Sequence, residues 1–304
     1  MKIIDGHVHL VQCIAGTGDC GAMRAIGGGK GMYDDGTVFT LIPPFLGEYD
    51  VTPEAVLKVF DENNVEKGVL LQGNFIGFQN LYAYDAMKKY PDRFLAAAAY
   101  DPFSRNRDRI LQHLFEDLGI NVVKFEVSTT SGLMSNHYTL PLDGELMERE
   151  YAYADEHALI FTIDIGKLGS ESSQIPALRN AILRHPNLKF VVCHLLAPKQ
   201  HMKQEMLAGL EQLKLPNVWF DLAALSHNVR PDTVPDFPVT RDFLHAAIGV
   251  VGTDRLIFGT DLPSALTRNS YAELAGIVIN DPALSEEQKE MIMYHNADHV
   301  YFRH

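Results

Sequence analysis

Lys2-Ile3-Ile4-Asp5-Gly6-His7-Val8-His9 opens the chain with a short apolar run that ends in two histidines spaced two apart. A β-branched run that stops at polar residues reads as a strand with chemistry at its end. Working outward from this first run (2–5), seven more of the same kind follow, at 68–72, 94–100, 122–127, 159–165, 190–194, 218–222 and 256–260. Stretches of helical period separate them, the pattern of parallel strands buried on both faces by crossover helices. Thr52-Pro53 is an N-cap followed by proline at the first helical position, with Val56, Leu57, Val59 and Phe60 as the buried stripe. The same logic predicts helices at 81–89, 107–118, 143–156, 174–184, 201–213, 240–250 and 285–294. Eight strand and helix cycles predict an α/β fold, a single (β/α)8 TIM barrel spanning residues 1–304, with catalytic groups at the C-terminal strand ends.

The long stretch 11–50 interrupts this rhythm after the first strand and carries Gly27-Gly28-Gly29-Lys30-Gly31 and Pro43-Pro44. It matches neither GxxxxGK[ST] nor GxGxxG, so it reads as a flexible lid over the active end of the barrel rather than a nucleotide-phosphate loop.

Hydrophobic residues make up 46% of the chain and charged residues 21%, a balance that supports a large core. With 26 Lys and Arg against 39 Asp and Glu, the net charge of -13 argues against nucleic acid or an anionic membrane as partner and favours a small-molecule substrate. Cys13, Cys20 and Cys193 are too scattered for a disulfide framework or a CxxC zinc site. Neither an export signal nor an apolar span of about 20 residues is visible, so a cytoplasmic protein is expected.

His7 and His9 lie on one face of a strand, about 7 Å apart along the backbone, and can converge on one ion. Imidazole suits zinc, iron, nickel or copper, so the pair is a ligand motif without metal preference. Two further strand ends join it: the sixth run ends in His194 and the eighth in Asp261. The eighth and first strands of a closed barrel are neighbours, so Asp261 can reach that ion as ligand or act as general base.

Ile4-Asp5-Gly6-His7-Val8-His9, Tyr90-Pro91-Asp92-Arg93-Phe94, Phe190-Val191-Val192-Cys193-His194, Phe258-Gly259-Thr260-Asp261 and Asn296-Ala297, in this order, resemble the amidohydrolase superfamily. The branch they resemble is the amidohydrolase-related one. It contains aminocarboxymuconate-semialdehyde decarboxylase, resorcylate-type decarboxylases, pyrone-dicarboxylate lactonase and related hydratases. The resemblance implies one divalent metal ion, Zn2+ first and Mn2+ second, held by His7 and His9, with Asp261 as ligand or proton acceptor. It implies His194 as the group that polarises water or substrate, and a homodimer or higher homo-oligomer. The branch usually has a histidine ligand at the end of its fifth strand, whereas this chain has Asp164. The aspartate is either a harder substitute ligand or the mark of a site that has drifted toward weak metal binding. His157 precedes that strand, at the other end of the barrel.

On the fourth run Lys124 and Glu126 share a face. Glu126 is a candidate extra ligand and Lys124 a substrate contact, with an ion pair between Lys124 and Glu126 or Asp164 as the alternative. Gln72, Asn74, Tyr100, Asp101, Asp221 and His227 stand at other strand ends as candidate substrate contacts. Arg24, Lys30 and Arg230 lie in loops from which they could clamp a carboxylate. Alternation turns Cys193 away from the His194 face, toward the helices. The expected chemistry is hydrolysis of a C–O or C–N bond of a small carboxylated or cyclic compound, with Asp261 and His194 moving protons beside a metal-activated water. Non-oxidative decarboxylation of an aromatic or unsaturated acid is the alternative. Hydration, and a non-catalytic metabolite-binding barrel, remain as further readings.

Overall fold

The computed structural model describes residues 1–229 and 236–303. Strand β1 (Ile3–Val8) is followed by four short strands, β2 (Thr17–Gly18), β3 (Gly21–Gly27), β4 (Lys30–Tyr33) and β5 (Val38–Thr40). These four pair antiparallel into a separate sheet in the order β2-β3-β4-β5. The stretch expected to be a flexible lid is therefore an ordered small sheet. Its glycines supply the hairpin: Gly27, Gly28 and Gly29 all have positive φ, a conformation that glycine adopts without steric cost. Met23, Leu41 and Ile42 anchor this part of the chain in the main hydrophobic core.

The remaining strands are β6 (Val65–Leu70), β7 (Phe94–Ala98), β8 (Val122–Glu126), β9 (Ile160–Asp164), β10 (Lys189–Val192), β11 (Val218–Asp221) and β12 (Leu256–Ile257). With β1 they form an eight-stranded parallel sheet in the order β1-β6-β7-β8-β9-β10-β11-β12. A parallel bridge between Val8 and Leu262 closes it. Gly6 N–H to Phe258 O, His9 N–H to Leu262 O and Asp261 N–H to His7 O complete the seam. All eight expected strands are present, in a single (β/α)8 barrel.

Helices α1 (Pro53–Glu62), α2 (Asn80–Lys89), α3 (Arg107–Leu111), α4 (Leu133–Asn136), α5 (Glu145–Glu156), α6 (Ile175–Arg184) and α7 (Lys203–Leu213) return the chain between strands. They are followed by α8 (Leu225–Asn228), α9 (Pro238–Val251), α10 (Tyr271–Ile279) and α11 (Glu286–Glu290). The helix expected from 285 continues past α11 as π-helical turns over Met291–His295. Helix α10 escaped the periodicity reading because its sequence, YAELAGIVI, is apolar almost throughout and has no polar stripe to set a phase. Its start was nonetheless written in the sequence: Ser270 and Glu273 form a capping box.

The barrel interior takes one apolar side chain from every strand: Ile4, Val69, Ala97, Val122, Ile160, Val191, Trp219 and Ile257. The C-terminal segment packs against them with Ala297, Val300 and Tyr301 and closes the N-terminal end, where Lys189 donates to the carbonyls of His299 and Val300. The opposite end is left open for chemistry.

Candidate metal centre

Alternation from the interior residues dictates which side chains reach the open end. Counting by twos from Val122, Ile160, Trp219 and Ile257 brings Lys124 and Glu126, Thr162 and Asp164, Asp221, and Gly259 and Asp261 inward. On β1 the same count from Ile4 would send His7 outward with Ile3 and Asp5. The β1–β6 register slips between Asp5 and Val8, so Val8 joins the outer core and His7 turns into the barrel.

On β10 the count from Val191 brings Cys193 inward, contrary to its expected outward packing, toward Lys124 and Asp221. His194 should then face out. It adopts a left-handed φ of 60°, the first of four consecutive non-glycine residues with positive φ, and this turn swings its ring back over the site.

At the centre, His7 Nε2 lies 3.2 Å from His9 Nε2, His9 Nε2 lies 3.1 Å from Asp261 Oδ1, and His7 Nε2 lies 3.6 Å from Asp261 Oδ1. Four ligands about 2.0–2.1 Å from one ion sit roughly 3.3 Å from each other, so this triangle has the edge lengths of one face of a zinc site. His7 Nδ1–H donates to Asp221 Oδ2 at 3.0 Å, and His9 Nδ1–H donates to Leu71 O at 3.0 Å. Both rings thereby direct an Nε2 lone pair at the same point, the arrangement that supports metal-binding histidines. Burial, opposed by Asp221, pulls the His7 pKa down to about 4, which keeps the ring neutral and able to ligate.

A second cluster of close donors, His7, His194 and Asp221, is already consumed by hydrogen bonds. Asp221 accepts His7 Nδ1–H, the His194 backbone N–H at 2.8 Å and the Ala223 N–H at 3.1 Å. Burial works to raise its pKa, but His7 and His194 hold it well below the ordinary carboxylate range. Asp221 thus braces His7 and the turn at His194, and it is not among the residues that line the cavity.

Behind the triangle, buried Asp5 accepts from Thr260 N at 3.0 Å, Thr260 Oγ1 at 2.7 Å, Tyr271 Oη at 3.0 Å and His7 N at 3.1 Å. Burial, offset in part by these donors, pushes its pKa up to about 6. The carboxylate ties β1 to the turn that carries Asp261. No sequence signal could reveal this tie, because Thr260 and Tyr271 lie 255 and 266 residues away.

His194 Nδ1–H donates to Ala223 O at 3.0 Å and its Nε2 lies 3.4 Å from Asp164 Oδ2. Burial would lower its pKa, but Asp164, then Asp261 and Asp221, push it up to about 10 and make it an imidazolium. Asp164 itself is opposed by burial yet held low by His194 and Lys124 and by the Gly166 N–H. Glu126, the cross-strand partner of Asp164, accepts from the hydroxyls of Ser128 and Ser131. Burial and the charge of Asp164 raise its pKa. Among the described residues, neither Asp164 nor Glu126 belongs to a close ligand cluster, so both line the cavity without joining the triangle.

Lys124 points into the same cavity and is 2% exposed. Burial opposes its charge, but Cys193, Asp164, Glu126 and Asp221 raise its pKa. The carboxyl groups of Glu126, Asp164, Asp221 and Asp261 thus gather around Lys124 and His194. The donor set of the triangle, two imidazoles and a carboxylate, fits a divalent ion.

The cavity measures about 240 Å3 and has an apolar wall of Val11, Leu41, Phe75, Ile76 and Pro263. His227 lines its outer mouth with Lys167 and Asn228. Other expected contacts are not brought there. Tyr100 falls on the outward parity of β7, packs on Phe125 and donates to Glu150 at 2.7 Å beneath the helices. Gln72 is buried outside the cavity, its amide without a hydrogen-bond partner among the described residues. Asn74 is buried in a 3-10 turn, and Asp101 accepts from His137 at 2.7 Å. Arg24 pairs with Asp34 at the surface, Lys30 is exposed, and Arg230 lies outside the described residues.

No curated protein matches the chain. Among solved structures, an amidohydrolase from Burkholderia multivorans with bound zinc superposes at a TM-score of 0.72 and 16% identity, covering 99% of both chains. A protein described as a 2-pyrone-4,6-dicarboxylic acid hydrolase, from Acinetobacter baumannii with citric acid bound, gives 0.71 and 15%, again over 99% of both. The 2,6-dihydroxybenzoate decarboxylase from Rhizobium gives 0.58 and 17%, over 81% of this chain and 87% of that one. At such identities the likeness establishes the barrel. The amidohydrolase family model matches residues 4–303, so the chain belongs to the amidohydrolase family and is an enzyme of that kind.

Proposed function

We propose that the protein is a divalent-metal-dependent hydrolase that opens an ester, lactone or amide bond in a small cyclic or carboxylated substrate. The observation that carries this reading is the triangle of His7 Nε2, His9 Nε2 and Asp261 Oδ1, with edges of 3.1–3.6 Å at the mouth of the barrel. These three residues would hold the ion, zinc first and manganese second. When bound, such an ion supplies a Lewis acid for a carbonyl and a water of lowered pKa.

The chain's own groups do the rest. Asp261 has one oxygen in the triangle, and no hydrogen bond engages Oδ2 among the described residues, which leaves Oδ2 to accept a proton from water and return it to the leaving oxygen or nitrogen. His194, held at Nδ1 by Ala223 O, would turn its Nε2–H from the long contact with Asp164 to the oxygen that gains charge at the reacting carbonyl. The apolar wall of Val11, Leu41, Phe75, Ile76 and Pro263 limits water around that carbonyl. The reading includes a homodimer or larger homo-oligomer, checked by sedimentation, and a reducing compartment such as the cytoplasm, which three unpaired cysteines support.

The test is metal analysis of the purified protein, followed by a screen of lactones, amides and hydroxylated aromatic acids in 18O-water. One equivalent of metal, label in the product, and loss of both in a His7→Ala, His9→Ala double variant are expected. Bicarbonate released from an acid without label in the product would replace hydrolysis by decarboxylation. Full activity in the double variant would end the metal reading.

A further inference from the structure

Lys124 is a cation of the cavity that neighbouring acids stabilise through space, without a direct partner among the described residues. It sits at an inward position of β8, is 2% exposed, and lines the same cavity as the ligand triangle. Among the described residues no carboxylate or hydrogen-bond acceptor pairs with its ammonium. The carboxylates that stabilise it through space, those of Glu126, Asp164 and Asp221, each have another partner as well. Glu126 Oε1 accepts from Ser128 and Ser131, Asp164 Oδ1 accepts from Gly166 N–H, and Asp164 Oδ2 faces His194. A buried ammonium with unfilled donors is among the costliest groups a fold can carry, and an anionic oxygen is what relieves it.

We infer that Lys124 anchors a carboxylate of the substrate, so that the enzyme selects single-ring compounds bearing one carboxylate beside the bond to be broken. The inference rests on the hydrolase reading for the position of that bond. The wall of Val11, Leu41, Phe75 and Ile76 gives the ring an apolar seat in the inner cavity of about 240 Å3 that Lys124 lines. A singly charged carboxylate fits better than a phosphate dianion, because Glu126 and Asp164 flank the ammonium and repel a second negative charge.

The experiment compares benzoate with benzamide, two probes of one shape, by calorimetry on the full chain in its zinc-loaded and metal-free forms. Benzoate is expected to bind wild type at least about tenfold more tightly in both forms, the scale of a hydrogen bond to a charged group. Lys124→Met should erase that preference while circular dichroism shows the fold retained. The wild type gives a second readout that needs no variant: benzoate, and not benzamide, should shift a buried lysine Nζ signal in the 15N spectrum. No preference in wild type, a preference that survives in Lys124→Met, an unmoved Nζ signal, or an intact mass raised by one carbon dioxide on Lys124 would each overturn the anchor. Wild type that hydrolyses lactones without preferring benzoate sinks the anchor and leaves the hydrolase reading standing. A lysine-dependent preference with no turnover of any kind does the reverse.

Discussion

Asp221 is not among the expected metal ligands, yet its carboxylate holds both His7 and the backbone of His194. Asp221→Asn keeps the shape and removes the charge that orients the His7 ring, so zinc affinity should fall about 10- to 100-fold. Competition with a chromogenic chelator measures this. Gly259 is the tightest neighbour of the same histidine: a Cβ there would stand 2.8 Å from His7 Cβ and 3.3 Å from Ala223 Cβ. Gly259→Ala should therefore displace His7, cost about 1–3 kcal/mol in denaturant unfolding, and weaken zinc as well. His7, His9 and Asp261 were legible in the sequence because their type, spacing and strand-end position all pointed to one ion. His194 was legible as a residue, but its approach was not, since a left-handed backbone breaks the alternation that side-chain direction is read from. That same break misdirected the reading of Cys193, whose parity runs from Val191 and not from its neighbour.

The eight barrel strands were readable as short apolar runs that end in polar or small residues, and the helices wherever apolar residues recur with the helical period. Elements were unreadable where a helix is apolar almost throughout and lacks a polar stripe, as in α10, or where glycine and polar residues form a small sheet, as in β2 to β5. Tyr100 belongs to this scale: β7 faces it outward, where its hydroxyl and Arg107 share the buried carboxylate of Glu150. Tyr100→Phe should lower stability by about 1.5–3 kcal/mol, the worth of a hydrogen bond to a charged group, with kcat and KM unchanged. A shift in KM would return Tyr100 to the site. Helix α1 depends on Thr52, whose hydroxyl accepts from Ala55 N–H at 3.2 Å. Thr52→Ala should cost about 1 kcal/mol, a melting-point loss of about 2–4 °C, without touching metal binding.

For the whole molecule, an ion that binds only the folded chain adds stability by mass action. Free zinc at 100 times its Kd contributes about 2.7 kcal/mol, so chelation should lower the melting temperature by several degrees. A melting point indifferent to chelation would mean that the triangle holds no metal. His9 and Asp261 are 252 residues apart in sequence and meet across the seam where β1 closes on the chain after β12, a strand of only two residues. The ion would act there as a clasp on a hoop. A ribosome must release the chain past Asp261 before the clasp can fasten, so a nascent barrel that stops short of it cannot hold metal or turn over substrate. In the finished protein, emptying the clasp should loosen the hoop at that one joint first, with amide exchange rising in β1 and 256–262 before it rises in β8 or β9.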